Sequence, residues 1–294
     1  YTYYNYKQGD GFRPNSEFES KNLYTHLGYQ LSQKTKLIGE FTYLNYLAKQ
    51  PGGLTDTQFD KDPAFRNRTR NWFPVDWKLF SLTLEHQFSE KTDFSFNLFG
   101  LDATRSALGF RGITTDLNSN PITAPDETDA AGNFVNPRDL IVGDFQNWGA
   151  EARLLSRYKF LGEESVFLIG SKYYQANNEA RQGPGSLGTD ADFEFKTDRF
   201  PDYANQSKFE FPNLNIAVFG ENIFNLSDKF SITPGFRYEH IKTGSDGIYN
   251  DVIFDNAGNP LSNITERDDE TLERSFLLLG IGSSYKFKPG LELY

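Results

Sequence analysis

Apolar residues in this chain recur with a period of two, and that single feature constrains the fold more than any other. Leu23, Thr25, Leu27, Tyr29 and Leu31 alternate with Asn22, Tyr24, His26, Gly28 and Gln30. Phe80, Leu82, Leu84, His86 and Phe88 alternate with Ser81, Thr83, Glu85 and Gln87. Phe230, Ile232, Pro234, Phe236 and Tyr238 alternate in the same way with Ser231, Thr233, Gly235, Arg237 and Glu239. Successive side chains of a strand point to opposite faces, so each ribbon keeps one face on an apolar surface and the other in water. No segment carries a helical stripe. Aromatics reach 16% in a chain only 37% hydrophobic, which suits strands apolar on one side and excludes a disordered chain.

The connections alternate too. Tight polar turns fall at 32–35, 89–92, 161–164, 226–229 and 288–290, and they repeat weakly as SQKTKLIGEFTY, SEKTDFSFNLFG and SDKFSITPGFRY. Between them lie longer Gly/Pro/Asn/Asp-rich stretches at 9–17, 49–74, 104–146, 178–207 and 244–270. Short turns at one end and long loops at the other describe an antiparallel up-and-down meander. The strands read as about 11–14 residues, beyond the mode of about 5–6 for globular proteins. Crossing an apolar band of about 25 Å at a tilt near 40° takes about ten residues at ~3.3 Å each. The expected fold is therefore all-β, an antiparallel up-and-down transmembrane β-barrel. About eleven strands are countable, whereas single-chain bacterial barrels close with an even number, so 1–294 reads as an arc of a barrel roughly twice its size. A soluble β-sandwich or propeller with long loops is the alternative.

Composition narrows the function classes. Forty acidic residues against 30 Lys and Arg leave a net charge of −10, a poor match for a nucleic-acid backbone. The absence of Cys removes disulfide frameworks and thiolate metal sites, and three scattered His (His26, His86, His240) do not suggest a metal centre or resident cofactor. With no Met and Tyr1 already inside a strand, the sequence reads as a mature or excised segment. His86 and His240 sit on the apolar phase near strand ends, as interfacial residues would, and Trp72 and Trp77 read as aromatic-girdle residues.

No catalytic constellation is evident, so an enzyme is not expected. Glu151, Arg153 and Arg157, like Arg237 and Glu239, fall on polar faces, where an ion-paired lumen lining is the simplest account. The glycine-rich stretch 182–188 lacks the Lys and the following helix of a phosphate loop. Asp246, Asp251 and Asp255 lack the spacing of a Ca²⁺ loop. One cluster stands apart: Phe65-Arg-Asn-Arg-Thr-Arg-Asn-Trp-Phe73 places Arg66, Arg68 and Arg70 at alternate positions, and Arg105 and Arg111 flank the next long loop at the same end. In an extended segment residues two apart point the same way, and guanidinium forks pair bidentately with carboxylates. These five arginines form a candidate anion-binding mouth, for instance for a metal chelated by carboxylates. Pairing with loop acids such as Asp60 and Asp62 is the competing account.

Gly11-Phe-Arg-Pro-Asn15, then Gln50-Pro-Gly-Gly-Leu-Thr55 with Gln58-Phe-Asp60 and Asp62-Pro63, resemble the barrel of TonB-dependent outer-membrane receptors, most closely the ferric-dicitrate type. Ile232-Thr-Pro-Gly-Phe-Arg-Tyr-Glu-His-Ile241 is similar to a strand those receptors carry after a periplasmic turn, with Asn213 to Phe219 fitting the strand before it. The resemblance implies a 22-stranded barrel with a plug in a Gram-negative outer membrane. Such a receptor binds a ferric siderophore or similar chelate and imports it with energy from TonB-ExbB-ExbD through an N-terminal part. Iron would be cargo, the surrounding lipid a partner, and nucleic acid none. The sequence contains neither a TonB box, a plug nor the closing strands that pattern calls for. In that family arginines of the outer loops and upper barrel, together with plug residues, hold the anionic chelate; Arg68 and Arg105 fall where the ferric-dicitrate receptor also has arginines, and Arg66 and Arg70 have no such counterpart. A passive porin-like channel and an importer of a non-iron substrate are the alternatives on the same scaffold.

Overall fold

A computed structural model describes residues 1–111, 124, 126–256, 259–288 and 290–294. Parts of the sequence-defined loops 104–146 and 244–270, and Pro289 of the last tight turn, lie outside the described residues. The chain forms one sheet of eleven strands in sequence order, every neighbouring pair antiparallel. The strands are β1 (Thr2–Gly9), β2 (Phe18–Ser32), β3 (Thr35–Lys49), β4 (Trp72–Ser89), β5 (Thr92–Gly109) and β6 (Asp139–Phe160). They continue as β7 (Glu163–Pro184), β8 (Ser207–Ser227), β9 (Phe230–Phe254), β10 (Pro260–Lys288) and β11 (Leu291–Leu293), with one short helix, α1 (Asp56–Lys61), between β3 and β4.

The repeated turn motif has a local cause. Ser32, Ser89 and Ser227 each accept, through the side-chain hydroxyl, the backbone N–H of the lysine two residues on, Lys34, Lys91 and Lys229, at 3.2, 3.2 and 3.3 Å. A serine that folds back on its own turn stabilises a tight reversal. The 161–164 turn lacks that serine and instead places Leu161 and Gly162 at φ 53° and 90°, the left-handed pair that matches a hairpin's twist.

Register assigns the faces. Leu82, Leu98, Ala150, Tyr173, Ile216 and His240 form one row across β4 to β9, apolar until its last member. One residue along, Thr83, Asn97, Glu151, Lys172, Ala217 and Glu239 form the next row, on the opposite face and mostly polar. No second layer covers the apolar side among the described residues: Phe80 and Leu82 remain 44% and 43% exposed, as side chains facing hydrocarbon would. The polar side is the lumen side of a barrel, and there Glu151 pairs with Arg153, Arg157 with Asp93 and Arg237 with Glu239. Asn97 donates to Ser81 and Thr83 in the same lining. Close packing between strands needs glycine here: a Cβ on Gly170 would stand 2.4 Å from the Phe219 ring that lies across it.

Strands β2 to β10 run 15 to 29 residues, longer than the alternation indicated. Most of the 244–270 stretch is not a loop; it is the continuation of β9 and β10, paired from Gly244 opposite Thr271 to Phe254 opposite Pro260. The ends of the 104–146 and 178–207 stretches likewise belong to strands. Above the apolar band both faces of a strand are wet, so alternation stops while backbone pairing continues.

The aromatic-girdle expectation also needs revision. Trp77 lies opposite Leu44 and Ala103 on the lumen face, and the Trp72 indole donates to the Thr189 carbonyl at 2.9 Å. Trp148 holds the girdle-like place, on the apolar face against Tyr173 at 5.1 Å. His86 bonds Thr35 at 2.8 Å and meets Phe88 edge-on, and His240 bonds Ser275 at 3.0 Å.

Candidate ligand vestibule at the loop end

The only buried apolar cluster among the described residues sits at the loop end, where Leu108, Leu140 and Val142 pack with Trp72, Phe193 and Phe195. It anchors three connections: 50–71 after β3, the described part of 110–138 after β5, and 185–206 after β7. The first folds on itself. Thr55 and Gln58 form a capping box on α1, and the Pro51 carbonyl accepts from the N–H groups of Asn67 and Arg68 at 2.9 Å each. Gly52, at φ +81°, passes so close beneath Arg68 that a Cβ there would lie 2.8 Å from its side chain. Arg13 donates to the Phe65 and Gly52 carbonyls at 2.8 Å, and Asn15 donates to the Gln50 carbonyl. The two motifs 11–15 and 50–55 are thus bonded to each other and build this loop.

The segment 64–71 is a folded loop rather than a strand, so Arg66, Arg68 and Arg70 do not converge on one side. Arg70 is fully buried. Its guanidinium grips the Asp126 carboxylate with two bonds of 2.6 Å, donates to the Asn136 and Leu187 carbonyls, and stacks 4.1 Å over the Phe134 ring. Asp126, rather than Asp60 or Asp62, is the acid that receives it. Arg68 is buried as well and donates to the carbonyls of Phe110, Asn67 and Ala124. Burial lowers its pKa. Arg66 is exposed. Arg111 is half-exposed and pairs with Asp139 at 3.1 Å.

Arg138, which no sequence pattern singled out, completes the arrangement. Fully buried, it donates to the Ser186 hydroxyl and the Asp190 carbonyl at 2.6 Å each, and to the carbonyls of Arg70 and Ser186 at 3.3 Å. Burial lowers its pKa and the nearby Arg70 charge adds to that, against the pull of Asp190. Asp139, next in the chain, accepts from Tyr203, Gln182 and Arg111. Burial first, and that carboxylate second, push the Tyr203 hydroxyl's pKa far up. Two buried cations therefore stitch three loops into one clasp.

Arg105 stands apart from it. On β5 it pairs across to Val75 and Gly143 and shares the lumen face with them. Its side chain is exposed, and no acid among the described residues bonds it. The described residues contain no group of three or more His, Cys, Asp or Glu able to hold a metal ion. A free guanidinium on the lumen wall, at the loop end, can take an anion from outside.

The family model of the TonB dependent receptor-like β-barrel matches residues 12–294. The chain belongs to this family. Its members are transport receptors, not enzymes. Similar solved structures include the ferric citrate transporter FecA in its unliganded form, with TM-score 0.71, 16% identity, 98% of this chain and 36% of that chain covered. The ferric-catecholate import receptor Fiu from E. coli gives TM-score 0.67 at 9% identity, covering 98% and 44%. The alcaligin outer-membrane receptor FauA from Bordetella pertussis gives 0.62 at 10%, covering 98% and 35%. No curated protein matches the chain by sequence. The chain spans less than half the length of these three proteins, and at such identities the likeness is one of fold.

Proposed function

We propose that this chain is about half of the barrel of a Gram-negative outer-membrane receptor that binds an anionic ferric chelate and imports it by TonB-dependent transport. The plug, the closing strands and the contact with TonB-ExbB-ExbD belong to the remainder of the receptor. The observation that carries the reading is Arg105, an exposed, unneutralised cation on the lumen wall beneath a folded loop cap. Arg66 adds positive potential at the same end, Arg111 is held against Asp139, and Arg68 and Arg70 act by holding the cap in shape. A ferric citrate-like chelate is what the 50–55 resemblance suggests, but that motif is engaged in loop architecture here and gives no independent support for citrate. The test is binding of ferric chelates to the full receptor carrying Arg105→Ala. Loss of charge-assisted hydrogen bonds at about 1.5–3 kcal/mol corresponds to about ten- to hundredfold weaker binding. Unchanged affinity for every chelate the receptor takes would remove Arg105 from the site.

A further inference from the structure

The lumen wall changes character along its height. Midway, its row reads Thr83, Asn97, Glu151, Lys172, Ala217 and Glu239, with Ala217 the one apolar member. Nearer the loops, in the two rows just below Arg105, the same face carries Trp77, Leu79, Leu101, Ala103 and Phe145 on β4 to β6, bounded by Asn147 and Asn178, with Phe211 and Asn213 beyond. Trp77 and Leu79 are 41% and 39% exposed. A lumen lining is expected to be polar, and a contiguous exposed apolar strip marks a surface that meets a partner. The strip holds no charge of its own. Arg105 borders it, and its same-face neighbours Val75, Ala103, Ala107 and Gly143 bring no acid. The acids of this face at the same level, Asp268 and Glu270, stand on β10, five strands away.

We infer that this wall receives a ferric chelate of low net charge with an aromatic face: the rings lie on Trp77 and Phe145, and a single carboxylate or phenolate oxygen meets Arg105. This rests on the proposed function and specifies its substrate class. Ferric citrate fits poorly. It presents several carboxylates and hydroxyls with no apolar face, so it would leave the strip unfilled and ask for more cations than this wall offers.

The experiment uses the full receptor and three ferric complexes labelled with radioactive iron. The first is the monoanion of N,N′-bis(2-hydroxybenzyl)ethylenediamine-N,N′-diacetate, which carries two phenolate rings; the others are the ring-free monoanion ferric EDTA, and ferric citrate. The phenolate complex is expected to bind at least about tenfold more tightly than either of the others, the scale of a buried aromatic anchor. Trp77→Ala and Phe145→Ala should erase that preference, while Arg105→Ala weakens both monoanions alike. Tighter binding of ferric citrate, or a preference that survives both aromatic truncations, overturns the inference while leaving a ferric-chelate receptor in place; survival would mean that another part of the receptor covers the strip. Binding of none of the three by folded receptor overturns the ferric-chelate reading, and this inference with it.

Discussion

Arg70 and Arg105 lie at the same end of the molecule and carry the same charge, yet they occupy opposite situations. Arg70 sits in a connection, fully buried, with its guanidinium closed by a bidentate carboxylate, two carbonyls and an aromatic ring. Arg105 sits in a strand whose register fixes its direction, exposed among small and apolar neighbours. A loop can bend until its cation finds partners, whereas a strand side chain points where the ladder sends it. Arg68, Arg70 and Arg138 are thereby drawn into the loop structure, whereas Arg105, directed by the ladder, meets no acid among the described residues.

The largest expected effect tests the first half of this contrast. Arg70→Ala strands Asp126 in a buried site, and removing one partner of a buried pair costs about 3–5 kcal/mol. Limited proteolysis should cut 124–138 and 185–206 in the variant and spare them in the parent, with the barrel strands intact in both. Equal resistance of the two proteins would break the idea of a clasp. Arg105→Ala gives the opposite signature: the binding loss described above, with loop protection and stability unchanged within about 0.5 kcal/mol.

A pH scan sharpens the comparison from another side. Tyr203 has a folded-state pKa raised above its ordinary value of 10.0. Its contribution is complete below that value and declines as pH climbs past it, because the unfolded tyrosine then releases a proton that the folded one retains. Cleavage within 185–206 should rise between pH 9 and pH 11 in the parent, beyond any change in the protease itself (~2 units spanning the tyrosine range). Tyr203→Phe should flatten that rise. The smallest effect belongs to the turns at the far end. Ser89→Ala removes an exposed hydrogen bond to the Lys91 amide and should lower barrel stability by no more than about 1 kcal/mol in denaturant unfolding, with no change in loop protection.

Much of this arrangement was legible from residue order. Alternation at Phe80, Leu82 and Leu84 identifies the strands and both faces, and Ser32, Ser89 and Ser227 mark the tight turns. The upper strands were not legible, because Asp246, Asp251 and Glu266 are as acceptable to water on a paired ribbon as on a loop. The candidate site was half legible. Arg105 obeys the two-residue rule because it lies in a strand. Arg68 and Arg70 escape it because 64–71 is not extended, and Arg138, Asp139 and Tyr203 lack any periodic signal.

Sequence alone determined the class of fold, the band that meets hydrocarbon and the turns at one end, since each depends on neighbours within a few residues. Only the tertiary structure decided which arginine closes on an acid 56 positions away and which remains open to the lumen. That choice depends on loops meeting in space, and local pattern holds no record of such meetings.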